Sequence, residues 1–128
     1  MKIVSGVHKI PGVRWSSAYL MDNVRLAVVD TGPPWSGGKV LWHIRSIGRN
    51  PADLDAILQT HSHPDHVSSA AGLARRTGAR GYAHSLDARH RGESGEVLHY
   101  MAPLPFLERT LVDQTIEDRD VIPMLGGI

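Results

Sequence analysis

Six consecutive residues, His61-Ser62-His63-Pro64-Asp65-His66, constrain this chain more than any other stretch. Three imidazoles and a carboxylate follow directly on the apolar run Leu54 to Leu58. Zinc, iron and manganese all accept such ligands. In an extended segment His61 and His63 point to the same side and can hold one cation together. Pro64 keeps His63 extended. Asp65 and His66 fall at a helix start, where free N–H groups orient a carboxylate, and can serve a second cation nearby. Two close metals can share a hydroxide that attacks carbon or phosphorus at neutral pH. A lone H-x-H reads as an incidental surface loop. The full pattern, set between an apolar strand and a helix, reads as a metal site.

The flanking sequence predicts an α/β domain. Residues 2–10 read as an edge strand closed by Pro11-Gly12. Ser17 to Met21 and Val24 to Asp30 read as two strands joined at Asp22-Asn23, the second apolar enough to be covered on both faces. Ser36 can cap a helix that buries Val40, Leu41, Ile44 and Ile47 and closes at Gly48. Leu54 to Gln59 is the next strand. A second helix runs from Asp65 to Thr77, with Val67, Ala70, Ala71 and Ala74 on one face, Arg75 and Arg76 at its end, and Gly78 as its stop. Gly81 to Ala83 is a short strand. Pro103 and Pro105 prevent a regular helix in the loop 92–105. Thr110 to Ile116 and Val121 to Leu125 read as strands joined by a turn at Glu117-Asp118-Arg119-Asp120.

Strands alternating with helices imply right-handed crossovers and a parallel section of sheet. Such sheets gather ligands at the carboxyl ends of their strands. His61 begins just past one of those ends. His84 follows another and is read as a hydrogen-bonded structural residue, with a place bordering the site as the alternative. His8, His43, His90 and His99 are read as surface or core residues.

Bulk properties exclude several classes. A chain of 128 residues with 41% hydrophobic residues is one domain with a modest core. A formal charge of +1 gives no strong pull toward nucleic acid or anionic lipid, so neither is expected as a partner. The arginines at 75, 76, 80, 89 and 91 read as a solvated face. Without cysteine there is no disulfide, thiolate ligand or cysteine nucleophile, which fits a cytoplasmic protein. No apolar stretch reaches the ~20 residues of a membrane helix.

Thr60-His61-Ser62-His63-Pro64-Asp65-His66 resembles the signature of the metallo-β-lactamase-fold hydrolase superfamily. Leu26 to Gly32 resembles the strand and turn before that family's first helix. Tyr82 to Ala88 resembles the segment after its motif helix, and Glu117 to Gly127 the hairpin entering its second half. The resemblance implies an αββα sandwich, of which residues 1–128 supply the first half and the start of the second. It implies that His61 and His63 bind one metal and that Asp65 and His66 bind another. The metal would be zinc, two per complete domain, with iron or manganese as alternatives. It also implies that Asp65 handles a proton. The substrate would be a small molecule carrying an ester, thioester, lactam or phosphoester.

The family's remaining ligands include a histidine in a Gly-His segment, and no Gly-His dipeptide occurs here. The chain therefore resembles a truncated domain, with weak metal binding, poor turnover alone and an uncovered sheet face that favours self-association. A homodimer or a complementing C-terminal half would cover that face. The alternative reading is a non-catalytic half-domain that binds metal or dimerises. An amidohydrolase-type barrel also uses H-x-H, but needs about 250 residues and an eightfold β/α alternation.

Overall fold

The structure is a computed structural model that describes residues 2–33, 35–61, 69–86 and 112–122. Among these, seven strands form one mixed sheet in chain order: β1 (Lys2–Val4), β2 (Val7–Lys9), β3 (Tyr19–Asp22), β4 (Leu26–Val29), β5 (Leu54–Gln59), β6 (Arg80–His84) and β7 (Gln114–Ile116). The first four strands pair antiparallel. β4 to β7 pair parallel.

The single strand expected over residues 2–10 is instead a hairpin. Gly6 turns it at φ +76, a left-handed conformation that glycine adopts without a Cβ clash. Strands of three residues on either side are too short to show a period. The expected strand from Leu54 to Gln59 forms with those bounds. Along β4 and β5 the register passes from Leu26↔Leu54 to Ala27↔Ala56, so Asp55 is an extra residue in its strand.

Helix α1 (Gly37–Ser46) crosses from β4 to β5, and α2 (Ala70–Thr77) from β5 to β6. Val40, Leu41 and Ile44 are buried on α1 as their spacing predicts. Ser36 stands at the N-cap but makes no side-chain cap bond. Its own N–H instead donates to Ser69 Oγ, 2.9 Å away, and Ser69 donates to Pro33 O at 2.7 Å. That buried hydroxyl ties the start of α2 to the β4–α1 turn. The buried face of α2 is carried by Ala70 and Leu73 rather than by alanines alone. Gly78 ends α2 at φ +77, as expected. Val67, at the start of the predicted helix, lies outside the described residues, as do the loop 92–105 and most of the strand expected at 121–125.

The sheet alternates its side chains between two clusters. Leu20, Leu26, Val28, Leu54 and Ile57 pack with Val40, Ile44, Ala70 and Leu73 on the helical side. Ala27, Ala56 and Tyr82 face the other way and bury with Ile122. β4 is thus covered on both faces, as its apolar run predicts, and this second face is closed at its centre. The turn Glu117 to Asp120 forms, with Asp120 N–H donating to Glu117 O at 3.2 Å. No helix among the described residues is long and apolar enough to cross a membrane.

Candidate active site at the carboxyl ends of the parallel strands

Four strand ends converge on one edge of the sheet. β4 delivers Asp30, β5 delivers Thr60 and His61, β6 ends on His84, and β7 leads to Glu117. A parallel sheet aligns its strand ends by construction, so these residues become neighbours although up to about ninety positions separate them.

Asp30 is the anchor. Its N–H donates to Leu58 O at 2.8 Å, which extends the β4–β5 ladder by one bond. The chain then turns at φ +58, in the left-handed region that aspartate tolerates better than most residues. The carboxylate is 4% exposed. Thr60 N–H donates to Asp30 Oδ1 at 2.9 Å, and Thr60 Oγ1 donates to Oδ2 at 2.6 Å. Both carboxylate oxygens thus hold the first residue after β5.

Thr60 Oγ1 also lies 2.8 Å from His61 Nδ1. An ionised carboxylate only accepts, so the threonine proton points at Asp30. The hydroxyl oxygen must then accept from His61 Nδ1–H. This fixes the tautomer and puts the lone pair of the His61 ring on Nε2. Gly32 completes the turn at φ +81. A Cβ there would stand 2.6 Å from Val13 Cγ1 and 2.9 Å from Ser36 Oγ, so no side chain fits.

His84 ends β6 and is hydrogen-bonded, as the structural reading expects. Leu86 N–H donates to its Nδ1 at 3.2 Å, which makes Nε2 the protonated nitrogen. Nε2 faces Glu117 Oε2 at 3.2 Å. His8 on β2 and His43 on α1 form a pair of their own, with ring centroids 5.5 Å apart. His43 is 5% exposed, and burial lowers its pKa, with His8 adding repulsion.

Of the predicted ligands, His61 is half-buried within the described residues, while His63, Asp65 and His66 lie outside them. Among the described residues no group of three potential ligands forms a metal cage. What the structure supplies is one imidazole held in a ligating tautomer. Sequence reasoning missed the two residues that hold it, Asp30 and Thr60. The signal was present: a carboxylate ending an apolar strand and a threonine ending the next, both at the edge where such sheets place their sites.

Comparison with known proteins follows the same lines. The profile of the metallo-beta-lactamase superfamily matches residues 11–128. The exodeoxyribonuclease WalJ of Streptococcus pneumoniae serotype 2 is 42% identical over 72 residues, which are 56% of this chain and 26% of that protein. Metallo-beta-lactamase domain-containing protein 1 of Xenopus laevis is 36% identical over 53 residues, or 41% of this chain and 23% of that one. A metallo-beta-lactamase structure from Cronobacter sakazakii superposes with a TM-score of 0.81 at 24% identity, covering 95% of this chain and 48% of the other. MEM-A1, a subclass B3 metallo-beta-lactamase from a soil metagenome library, gives 0.76 at 26% identity, covering 91% and 45%. The chain thus spans about a quarter of those curated relatives, at 26% and 23%, and about half of those solved structures, at 48% and 45%.

Proposed function

Because the chain belongs to the metallo-beta-lactamase superfamily, we propose that it carries the first metal-ligand segment of a metal-dependent hydrolase. The observation that supports this reading is the chain of bonds from buried Asp30 through Thr60 to His61 Nδ1. A histidine whose Nδ1–H is held by a hydroxyl, itself held by a carboxylate, is a preoriented Nε2 ligand. His61 and His63 would hold one cation, Asp65 and His66 a second, and zinc suits the all-nitrogen-and-oxygen donor set. A divalent cation bound there supplies Lewis-acid polarisation of the substrate and activation of water at neutral pH.

The protein's own groups have separate tasks. Asp30 and Thr60 orient the His61 ring before any ligand arrives, which lowers the ordering cost of binding. By the family resemblance, Asp65 would accept or return a proton. The substrate would carry an ester, thioester, lactam or phosphoester bond. The names of the relatives span both a nuclease and lactamases, so family membership alone leaves that choice open.

The test is zinc uptake by the purified chain and by His61→Ala, with hydrolysis of p-nitrophenyl acetate and bis(p-nitrophenyl) phosphate followed in parallel. The proposal expects zinc binding weakened at least about tenfold by the substitution, and any turnover, however slow, to require zinc. Equal zinc uptake by both proteins, or turnover indifferent to chelator, would refute it.

A further inference from the structure

His43 is a buried titratable group that the candidate site does not use. It is 5% exposed on α1, and among the described residues its Nε2 has no hydrogen-bond partner. An unpaired polar nitrogen so placed is destabilising. Its neighbour is a second imidazole. The rings of His43 and His8 meet edge to face, with centroids 5.5 Å apart and planes at 64°. His8 belongs to β2, so this contact joins α1 to the N-terminal hairpin of β1 and β2.

The charged groups on the elements around the pair do not favour a proton on His43. From β3, Asp22 comes within 4.0 Å of Nε2 of His8, and Arg49, beyond α1, donates to the same carboxylate. From β1, cationic Lys2 stands opposite His8. On α1, Lys39 donates to Gly12 O, and Arg45 is exposed. Burial lowers the His43 pKa, and repulsion from the amino terminus and from His8 lowers it further. The closed arrangement therefore favours His43 as a neutral ring. The hairpin is the cheaper side of this contact to move. Among the described residues, none in β1 or β2 belongs to either apolar cluster of the core. β1 is exposed along its length, with Ile3 at 51% and Val4 at 59%. β2 reaches the rest of the sheet through its pairing of Val7, His8 and Lys9 with Met21, Leu20 and Tyr19. α1, in contrast, buries Val40, Leu41 and Ile44. Segments with few buried apolar contacts open first.

We propose that the hairpin of residues 2–9 is an acid-released flap, closed over a neutral His43 and freed from α1 and β3 when His43 takes up a proton. Opening hydrates the ring and separates it from His8, so the imidazolium is stable only in the open form. Release also bares the outer edge of β3, residues 19–22, which β2 otherwise covers. An exposed imidazole takes its proton near pH 6.5, so the opening equilibrium rises by up to about 25-fold between about pH 7 and about pH 5. The device involves none of the candidate metal ligands, so it stands independently of the hydrolase reading.

Amide hydrogen exchange of the intact chain tests this, followed by NMR at both pH values and in low urea, with chelator present. Each rate is divided by that of an unstructured chain at the same pH. The reporter is the Asp22 N–H, which donates across to Gly6 O of the hairpin at 2.8 Å. The amides of the β4–β5 ladder are the reference. The flap predicts that Asp22 protection falls by about 5- to 25-fold from the higher pH to the lower. Its urea slope should stay well below that of the reference amides, because a local opening exposes little surface. His43→Leu and His43→Gln, neither of which titrates, should each hold Asp22 protection within about twofold over the same interval.

Three results would each overturn the proposal. The first is Asp22 protection that does not change with pH. The second is a urea slope at Asp22 equal to that of the β4–β5 ladder, which would mean that the hairpin opens only when the whole chain unfolds. The third is a pH dependence that survives in the His43 variants. The unsubstituted chain alone decides the first two, so a variant that fails to fold leaves the test intact.

Discussion

The two ends of the parallel strands are built on opposite rules. Among the described residues at the amino end, every positive φ belongs to a glycine: Gly6 in the β1–β2 turn, Gly48 after α1 and Gly78 after α2. The charges there are paired. Arg25 grips Asp55 through two bonds of 2.8 and 2.6 Å and reaches Asp53 at 3.2 Å. Arg49 donates to Asp22 and to the carbonyls of Asn23 and Val24, the latter two at 2.9 and 3.1 Å. At the carboxyl end Trp15, Asp30, Trp35 and Arg119 join Gly12 and Gly32 in the left-handed region, which glycine takes more cheaply. The buried carboxylate of Asp30 is directed there at Thr60, whose hydroxyl holds His61. One end is arranged for stability, and the other accepts local strain where the candidate site lies.

Disrupting the carboxyl end at its anchor should have the largest effect. Asp30→Asn and Thr60→Val each free the His61 ring, and each is expected to weaken zinc binding about 10–100-fold. Asp30→Asn should also lower stability by about 1.5–3 kcal/mol, since it removes hydrogen bonds to a charged group. Zinc titration and denaturant unfolding measure the two effects separately.

Exchanging glycine and non-glycine between the ends should move stability in opposite directions. Gly48 has open space around its missing Cβ and φ +79, so Gly48→Ala costs only the backbone term, about 1–2 kcal/mol. Trp15→Gly removes the same strain but adds unfolded-chain entropy, for a net gain of up to about 1 kcal/mol. Urea midpoints compared at equal slope give both values. A loss of stability in Trp15→Gly would mean that the indole packs in a way its exposure denies.

Acid should dissect the remainder. Burial depresses the His43 pKa, so the unfolded chain binds a proton there before the folded one does. The stability tied to a neutral His43 is complete above about pH 6.5 and is lost as pH falls from there toward the folded value. His43 Nε2 has no partner, so His43→Leu should flatten that slope between about pH 7 and 5 without stranding another group. The Asp55 carboxyl is held below its usual range by the hydrogen bond from Arg25. Its contribution is present above about pH 3.9 and is lost only as pH falls below that, so Asp55→Asn should lower the neutral plateau slightly and flatten the acid limb, by the smallest amount of the three.

Much of this arrangement is legible in the sequence. The bounds of β5, the buried stripe of α1 and the stops at Gly48 and Gly78 follow from apolar runs, spacing and glycine placement. The His61 to His66 pattern is readable as a metal site from residue types and spacing, and residues 62–66 of it lie outside the described residues. Other features depend on contacts between distant residues. Asp30 and Thr60 meet only because two parallel strands end level, thirty positions apart. Ser69 bridges two turns through its hydroxyl, a contact between positions 33 residues and more apart. The outward tryptophans read as ordinary loop residues until their backbone angles are known.

The orientation of one imidazole decides most directly between this account and its rivals. Long-range ¹H–¹⁵N correlation spectra of His61, recorded before and during zinc addition, report which ring nitrogen carries the proton. Protonated Nδ1 with an unprotonated Nε2 that shifts as zinc is added is the predicted result. A proton on Nε2 that persists through the titration would contradict it.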